Sequence, residues 1–241
     1  MKNTLLVFVF TVGLSSLAFA QQEAWISEVW ISAGYEFGSF ADRYVNQGQE
    51  IETMNSSHGM NIASYNFLWN RFGIFARGSF LTPQKSWMLN DTGMSKIDLS
   101  NYSYMFDSGL LLGMVYRLNF TDDFKSYFGL GINWYTTSAL YSGIGTASHS
   151  KDTNNIGIGG DIGLKVDLSD RFFLQLGSLI TLDFARHAVI ETYSGTSLTN
   201  TSSGWNEKYF MLSTRPYFAA GLNFFWQSEG GRPKFISGKP D

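Results

Sequence analysis

The stretch 155–168, NIGIGGDIGLKVDL, decides the fold because it sorts its residues onto two faces. Apart from Gly160, the even positions from Ile156 to Leu168 are apolar, whereas the odd positions hold Asn, Gly, Asp and Lys. A period of two predicts a β-strand, since successive side chains leave a pleated backbone on opposite sides. The alternation leaves open which face is inside, because a soluble barrel turns its apolar face inward and a membrane barrel turns it outward.

The N-terminal residues have the layout of a secretory signal peptide. Lys2 is followed by the apolar run LLVFVFTVGL and by a small-x-small pattern that ends at Ala20. We predict a signal peptide over 1–20, a barrel over 24–226 and a short periplasmic tail over 227–241. An uncleaved anchor helix is the alternative, but the apolar run is well short of the roughly 20 residues that a membrane-spanning helix needs.

The composition is unusual for a soluble protein. Charged residues make up 15% of the chain and aromatic residues 17%, whereas about 25% charged residues is typical of soluble domains. No Pro-rich or charged linker divides the chain, so we predict one domain after the signal peptide. With no cysteine, an exported chain must fold without disulfides. The formal net charge of −3 does not indicate a nucleic acid partner.

The alternating pattern returns in eight segments, separated by connections that are short and long in turn. Short polar turns follow the second, fourth and sixth segments, and connections of about 14 to 22 residues follow the first, third, fifth and seventh. Outer-membrane barrels show this asymmetry, with short periplasmic turns and longer extracellular loops. The predicted strands cover 25–40, 55–69, 72–82, 101–119, 125–137, 155–168, 171–185 and 208–226, and the predicted loops cover 41–54, 83–100, 138–154 and 186–207.

The two faces of these segments differ in a way that favours a membrane. One face is apolar and uncharged, and the other mixes glycine, small polar residues and charges of both signs. A soluble, lipocalin-like barrel would carry Lys, Glu and Thr on its outer face, where glycine would weaken the strands. We therefore predict an all-β, eight-stranded antiparallel up-and-down transmembrane β-barrel, whose lumen is just wide enough for side chains. On the second strand this assigns Ala63, Tyr65 and Phe67 to lipid, and Ser64 and Asn66 to the lumen.

Aromatic residues near both ends of the strands predict two girdles at the membrane interfaces. The predicted girdle residues are Trp69, Phe72, Tyr116, Phe172, Phe224 and Trp226 at the turn end, and Tyr35, Phe37, Tyr102, Tyr104, Trp134 and Phe184 at the loop end.

Segments such as FKSYFGLGINW (124–134) and DRFFLQLG (170–177) carry a resemblance to a known group. The chain resembles the small eight-stranded outer-membrane barrels of the OmpA transmembrane domain, OmpX and OmpW kind, and the outer membrane protein beta-barrel domain group. The resemblance implies residence in the cell outer membrane, and the OmpW kind implies uptake of small apolar molecules. Such barrels often end on an aromatic residue, whereas here YFAAGLNFFW (217–226) is followed by a further 15 residues.

The residues on the lumen face predict a network of positively and negatively charged side chains at three depths along the barrel. In a closed barrel the first and last strands are neighbours, so Glu36 and Arg215 are expected to pair. A structural network of ion pairs is the first interpretation, and a gated polar path is the alternative. The network comprises Glu28, Arg117 and Lys165 near the turn end, Arg77 and Asp161 in the centre, and Glu36, Asp107, Asp183 and Arg215 near the loop end.

Catalysis is a weaker hypothesis. His187 follows Asp183 on the seventh strand, and a base, a carboxylate and a nearby hydroxyl group are the parts of acyl transfer. No nucleophile-elbow motif is present, so we predict no catalytic residue. The chain has no cysteine, and its histidines do not have the spacing of metal ligands. We therefore predict neither a metal site nor a cofactor site. The expected role is structural or surface-binding, as a monomer in outer-membrane lipid, with aromatic anchors for surface partners at Trp87, Tyr141, Tyr193 and Trp205.

Overall fold

The computed structural model describes ten stretches of the chain. The signal peptide predicted over 1–20 lies outside the described residues. Within the described part, no helix is long and apolar enough to cross a membrane. The described residues are 26–46, 49–69, 71–90, 93–97, 99, 102–142, 147–194, 197–205, 208–229 and 232–236.

Eight antiparallel strands form a closed ring. The order around it is β1, β2, β3, β5, β6, β7, β8 and β10, and β10 pairs again with β1. Closure gives each of these strands two hydrogen-bonded neighbours. No strand edge is then left with unpaired backbone N–H and C=O groups, which would be costly in the hydrocarbon region of a membrane. This confirms the predicted all-β, up-and-down barrel. The ring strands are β1 (Ile26–Asn46), β2 (Gln49–Trp69), β3 (Phe72–Asn90), β5 (Tyr102–Asn119), β6 (Phe124–Ser142), β7 (Ala147–Asp167), β8 (Phe172–Ser194) and β10 (Phe210–Glu229).

Three shorter strands lie outside the ring and extend its hairpins. β4 (Gly93–Ile97) pairs with β3, and β9 (Ser197–Trp205) pairs with β8. β11 (Arg232–Ile236) pairs with the end of β10, where Trp226 lies opposite Phe235. The C-terminal tail therefore contains a strand, which the sequence did not predict.

The short turns lie where the sequence predicts them. They follow β2, β5 and β7, and the last two are closed by backbone hydrogen bonds: the N–H of Phe120 donates to the carbonyl oxygen of Phe124 at 3.0 Å, and that of Leu168 donates to the carbonyl oxygen of Phe172 at 2.8 Å. Ser169 Oγ also accepts a hydrogen bond from the N–H of Phe172 at 3.2 Å.

The four long loops were predicted wrongly, because the strands continue through most of them. β1 and β2 stay paired up to Asn46 opposite Gln49, and β7 and β8 stay paired up to Ala147 opposite Ser194. The apolar alternation stops well before these ends, so the sequence pattern places the ends of the strands too early. Backbone pairing needs no apolar face, and Thr is itself favoured in strands. The predicted loops are thus mainly hairpins that project beyond the apolar band.

The two faces of β7 are as predicted. Ile158 and Ile162 are 48% and 51% exposed on the outside of the ring, while Asp161 and Lys165 are fully buried in the lumen. The outward faces of β6, β8 and β10 are apolar in the same way. A soluble barrel would have the reverse arrangement. The outward assignment of the apolar side is therefore confirmed for these strands.

The faces of β2 were predicted the wrong way round. Ala63, Tyr65 and Phe67 are buried inside the barrel, and Tyr65 lies opposite the lumen residue Trp30 of β1. Ser64 and Asn66 have the opposite phase, but they are also buried, at 9% and 6% exposed, and Asn66 accepts a hydrogen bond from Ser27 Oγ at 3.0 Å. The turn-end half of the lumen is aromatic, so hydrophobicity alone does not distinguish its wall from the lipid-facing side.

The described aromatic residues of the predicted girdles include several on the outer face. At the turn end, Phe72 and Tyr116 have ring centroids 4.7 Å apart, and Phe172 is exposed. At the loop end, Trp134 and Phe184 are exposed. The side chains of Trp69, Tyr102 and Tyr104 lie outside the described residues.

Candidate functional site in the lumen

An aromatic and aliphatic cluster occupies the turn-end part of the lumen. Glycines on the facing strands leave space for its rings: a Cβ added at Gly129 would lie 2.7 Å from Phe75 Cε1. This close approach explains the alternation of glycine with charge in the lumen wall. The cluster consists of Trp30, Ala63, Tyr65, Phe67, Phe75, Leu111, Val115, Tyr127, Phe173, Leu179 and Tyr217.

The lowest layer of charges surrounds Glu28. Its carboxylate pairs with Arg117, and lies 3.5 Å from Lys125 Nζ and 3.9 Å from Lys165 Nζ. Asp167 pairs with Lys125 at 2.6 Å and also with Lys165. Glu28 and Lys125 belong to β1 and β6, which are opposite each other in a ring of eight. This layer therefore spans the lumen.

The central layer is built on Asp161. Arg77 Nε donates to Asp161 Oδ2 at 3.1 Å, and both side chains are fully buried. Tyr65 and Tyr217 donate their hydroxyl groups to the two carboxylate oxygens, at 2.5 and 2.7 Å. Arg77 also donates to Asn61 Oδ1 at 2.9 Å, and its guanidinium lies 3.7 Å from the ring centroid of Tyr217. Because both charges have several partners, neither is left without compensation in the interior.

The upper layer joins the first strand to the last. Arg215 Nη1 lies 3.5 Å from Glu36 Oε1, and Ser79 Oγ donates to Glu36 Oε2 at 3.0 Å. Arg215 Nη2 donates to Asn133 Oδ1 at 3.5 Å. Asn133 in turn donates to Asp183 Oδ1 at 2.7 Å. The contact between Glu36 and Arg215 is the one that closure of the barrel led us to expect.

Two of the nine predicted network residues have no cationic partner. Asp107 makes side-chain hydrogen bonds with Tyr135 and Thr137, and Asp183 accepts from Asn133. Neither forms an ion pair with another described residue. The other seven predicted residues all form ion pairs: Glu28, Glu36, Arg77, Arg117, Asp161, Lys165 and Arg215.

The network also contains residues that the sequence analysis missed. Lys125 is in phase with the lumen residues of β6 and could have been found by extending the alternation to the turn. Asp42 pairs with Arg186 at 3.1 Å near the loop end. Asp42 lies six positions after Glu36, so the alternation places both side chains on the lumen side. Arg186 lies three positions after Asp183, so an unbroken alternation would place it on the opposite side. A register shift between Ile156 and Gly157 of β7 accompanies this change, and no sequence signal indicated it.

The comparisons with known proteins agree with this architecture. Residues 6–209 match the model of the outer membrane protein beta-barrel domain family. The chain belongs to this family. As a member, it is an outer membrane protein, and it lies in the cell outer membrane in contact with the lipid bilayer. No curated protein matches the chain with significance.

Several solved structures of outer membrane proteins are similar to this chain at low sequence identity. OprG from Pseudomonas aeruginosa is 13% identical, with a TM-score of 0.53 over 82% of this chain and 96% of that one. The attachment invasion locus protein Ail of Yersinia pestis is 12% identical, with a TM-score of 0.43 over 82% and 99%. A major outer membrane protein from Thermus thermophilus is 14% identical, with a TM-score of 0.49 over 80% and 99%.

The histidines of this outer membrane protein are not arranged for acyl transfer with Asp183. His187 lies against Trp205 on the outer face, with ring centroids 5.2 Å apart. Asp183 is fully buried on the lumen side of the same strand. His149 Nδ1 contacts Thr192 Oγ1 at 3.1 Å, and His58 contacts the hydroxyl group of Tyr35.

Proposed function

We propose that the protein is a non-enzymatic outer-membrane barrel with a closed lumen, which acts at the cell surface in adhesion or membrane integrity. The observation that carries the closed lumen is the hydrogen bond from Tyr65 of β2 to Asp161 of β7. These strands are opposite each other in the ring, so the contact crosses the lumen. The interior of an eight-stranded barrel is narrow enough for side chains to fill it.

The charged layers support this proposal energetically. Ions or solutes crossing the lumen would have to displace buried pairs such as Arg77 and Asp161. Separating a buried ion pair leaves each charge without compensation, and breaking one by removing a partner costs about 3 to 5 kcal/mol. Three such layers in series disfavour a permanently open path.

The projecting hairpins support a role at the surface. On the β8–β9 hairpin, Leu198 and Trp205 are 52% and 64% exposed, and aromatic anchors of this kind are enriched in binding hot spots. Of the other predicted anchors, Trp87 and Tyr193 are half-buried, and the side chain of Tyr141 lies outside the described residues. Trp205 is therefore the strongest candidate for contact with a partner.

The test separates a surface-binding role from a structural one. Cells lacking the gene receive either the wild type or a variant in which residues 190–202 are replaced by Asn-Gly. This joins Val189 to Ser203, which pair in the structure, through a favoured two-residue turn. We expect the shortened protein, which loses Leu198 and the hairpin tip but keeps Trp205, to restore full resistance to detergents and only part of the binding to surfaces or to other cells.

Heat-modified migration on gels checks that the shortened barrel folds. A Trp205→Ala variant, which keeps the hairpin, is expected to lose part of the surface binding. If cells without the protein bind surfaces and resist detergents as well as the wild type does, the proposed function is wrong.

Uptake of small apolar molecules is a second candidate. Near the loop end of the lumen there is a cavity of about 220 Å³, whose wall includes Met88, Met105 and Met211. Passage beyond it would still require the charged layers to open. An apolar compound that co-purifies with the wild type, and is lost when Ala139→Leu narrows the cavity, would support this alternative over the closed barrel.

A further inference from the structure

The cavity near the loop end has the mixed character of a small-molecule site. It lies above the contact between Arg215 and Glu36, and its volume is about 220 Å³, which is room for about seven water molecules at about 30 Å³ each. Phe40 and Tyr135 form part of its wall, with ring centroids 5.1 Å apart. Apolar walls with a few placed polar groups are typical of ligand sites.

Several side chains of this wall have buried polar atoms without a hydrogen-bond partner. Asp107, Thr153, Asn155 and Tyr209 all line the cavity and are at most 6% exposed. Each has a side-chain oxygen with no hydrogen-bond partner among the described residues, and Arg186 Nε in the same wall has none either. Buried polar groups in proteins are normally hydrogen-bonded, so five such atoms around one cavity point to an occupant with hydroxyl groups.

The charges of the wall are balanced. Asp42 and Asp107 contribute two negative charges, and Lys151 and Arg186 contribute two positive charges. An anion would meet the two acids, and a cation would meet the two bases. Burial raises the pKa of Tyr209, which lies outside the strands, so its hydroxyl group remains protonated and can donate. The wall therefore suits a neutral occupant.

We propose that this cavity binds a small neutral polyol of about the size of a monosaccharide. The C–H face of a sugar ring packs against Phe40 and Tyr135. Its hydroxyl groups donate to Asp107 and Asn155 and accept from Arg186, and Thr153 and Tyr209 can do either. A purely apolar occupant would leave these atoms unsatisfied. The site lies above the charged layers, so it does not depend on whether the lumen conducts.

Isothermal titration calorimetry on the purified, folded protein in detergent micelles tests the proposal. The probes are D-glucose, D-galactose and myo-inositol at millimolar concentrations, with cyclohexanol as the more apolar probe. We expect saturable binding, at one site per chain, of at least one of the three polyols and weaker binding of cyclohexanol. No saturable binding of any polyol, or tighter binding of cyclohexanol than of every polyol, would overturn the proposal.

A matched pair of variants locates the site. Asn155 lines the cavity, whereas its neighbour Asn154 faces outward and accepts a hydrogen bond from Thr136 at 3.1 Å. We expect Asn155→Leu to weaken polyol binding at least tenfold and Asn154→Leu to leave it unchanged. Equal effects of the two variants would contradict the assignment.

A third variant keeps the proposal testable if Asn155→Leu does not fold. Ala139 lines the cavity without contributing any of the unpaired side-chain atoms. Ala139→Leu should abolish binding by filling space while the protein still shows heat-modified migration. Undiminished polyol binding by the folded Ala139→Leu protein would place the ligand elsewhere and overturn the proposal.

Discussion

At the scale of single residues, Arg215 connects two polar groups of different strands in the upper layer. It pairs with Glu36 and donates to Asn133, and its side chain is 1% exposed. The Arg215→Ala variant would leave the Glu36 carboxylate buried without its cation. We expect it to lower the free energy of unfolding by about 3 to 5 kcal/mol, measured by urea denaturation in lipid vesicles.

Arg43 provides the matched control for this prediction. It pairs with Glu50 and Glu52 on the outside of the barrel, where its side chain is 51% exposed. Solvent-exposed pairs contribute little to stability, so Arg43→Ala should leave the free energy of unfolding nearly unchanged. If the two variants were equally stable, the charged layers would not be holding the lumen together.

Residue phase shows why some members of the network could be predicted and others could not. Asp161 and Lys165 follow from the alternation of β7, and the approach of Glu36 to Arg215 follows from closure of the ring. The position of Arg186 could not be predicted in this way. Its side chain points into the lumen beyond a local register shift between β7 and β8, and no feature of the sequence indicates that shift. Periodicity is reliable only while the register of a strand is unbroken.

At the scale of the strand, β2 shows the limit of hydrophobicity as a guide to orientation. Both faces of its turn-end half contain apolar residues, since Tyr65 and Phe67 join the lumen cluster and Ile62 and Leu68 have the opposite phase. The existence of the strand could be predicted from its pattern. Its orientation depends on tertiary contacts with Trp30 and other lumen residues, which no local pattern contains.

Two neighbouring positions of β2 test this orientation. Ala63 is fully buried in the aromatic cluster, so Ala63→Leu should overpack the lumen and lower the free energy of unfolding by about 1 to 3 kcal/mol. Ser64 has the opposite phase, away from the aromatic cluster, so Ser64→Leu should lower the free energy of unfolding less than Ala63→Leu does. Urea denaturation of both variants in lipid vesicles measures the difference, and the opposite ranking would restore the orientation first predicted from the sequence.

At the scale of the whole molecule, the asymmetry of short turns and long hairpins predicts which end of the barrel faces the cell exterior. Ser202 is exposed on β9, and Asp170 is exposed in the turn between β7 and β8. The chain has no native cysteine, so Ser202→Cys and Asp170→Cys each provide a single thiol. A membrane-impermeant maleimide should label Cys at 202 in intact cells, but Cys at 170 only after the outer membrane is permeabilised. Labelling in the reverse order would show that the barrel has the opposite orientation in the membrane.

Closure of the lumen is the central claim for the whole molecule, and ion conductance tests it most directly. The purified, folded protein is inserted into a planar lipid bilayer, with a 16-stranded porin as the conducting control, since barrels of that size leave an aqueous channel. We expect no steady current steps from the wild type, because contacts such as those of Glu28 with Lys125 and of Tyr65 with Asp161 cross the lumen. Reproducible open steps at low voltage would contradict a closed lumen and favour the gated polar path.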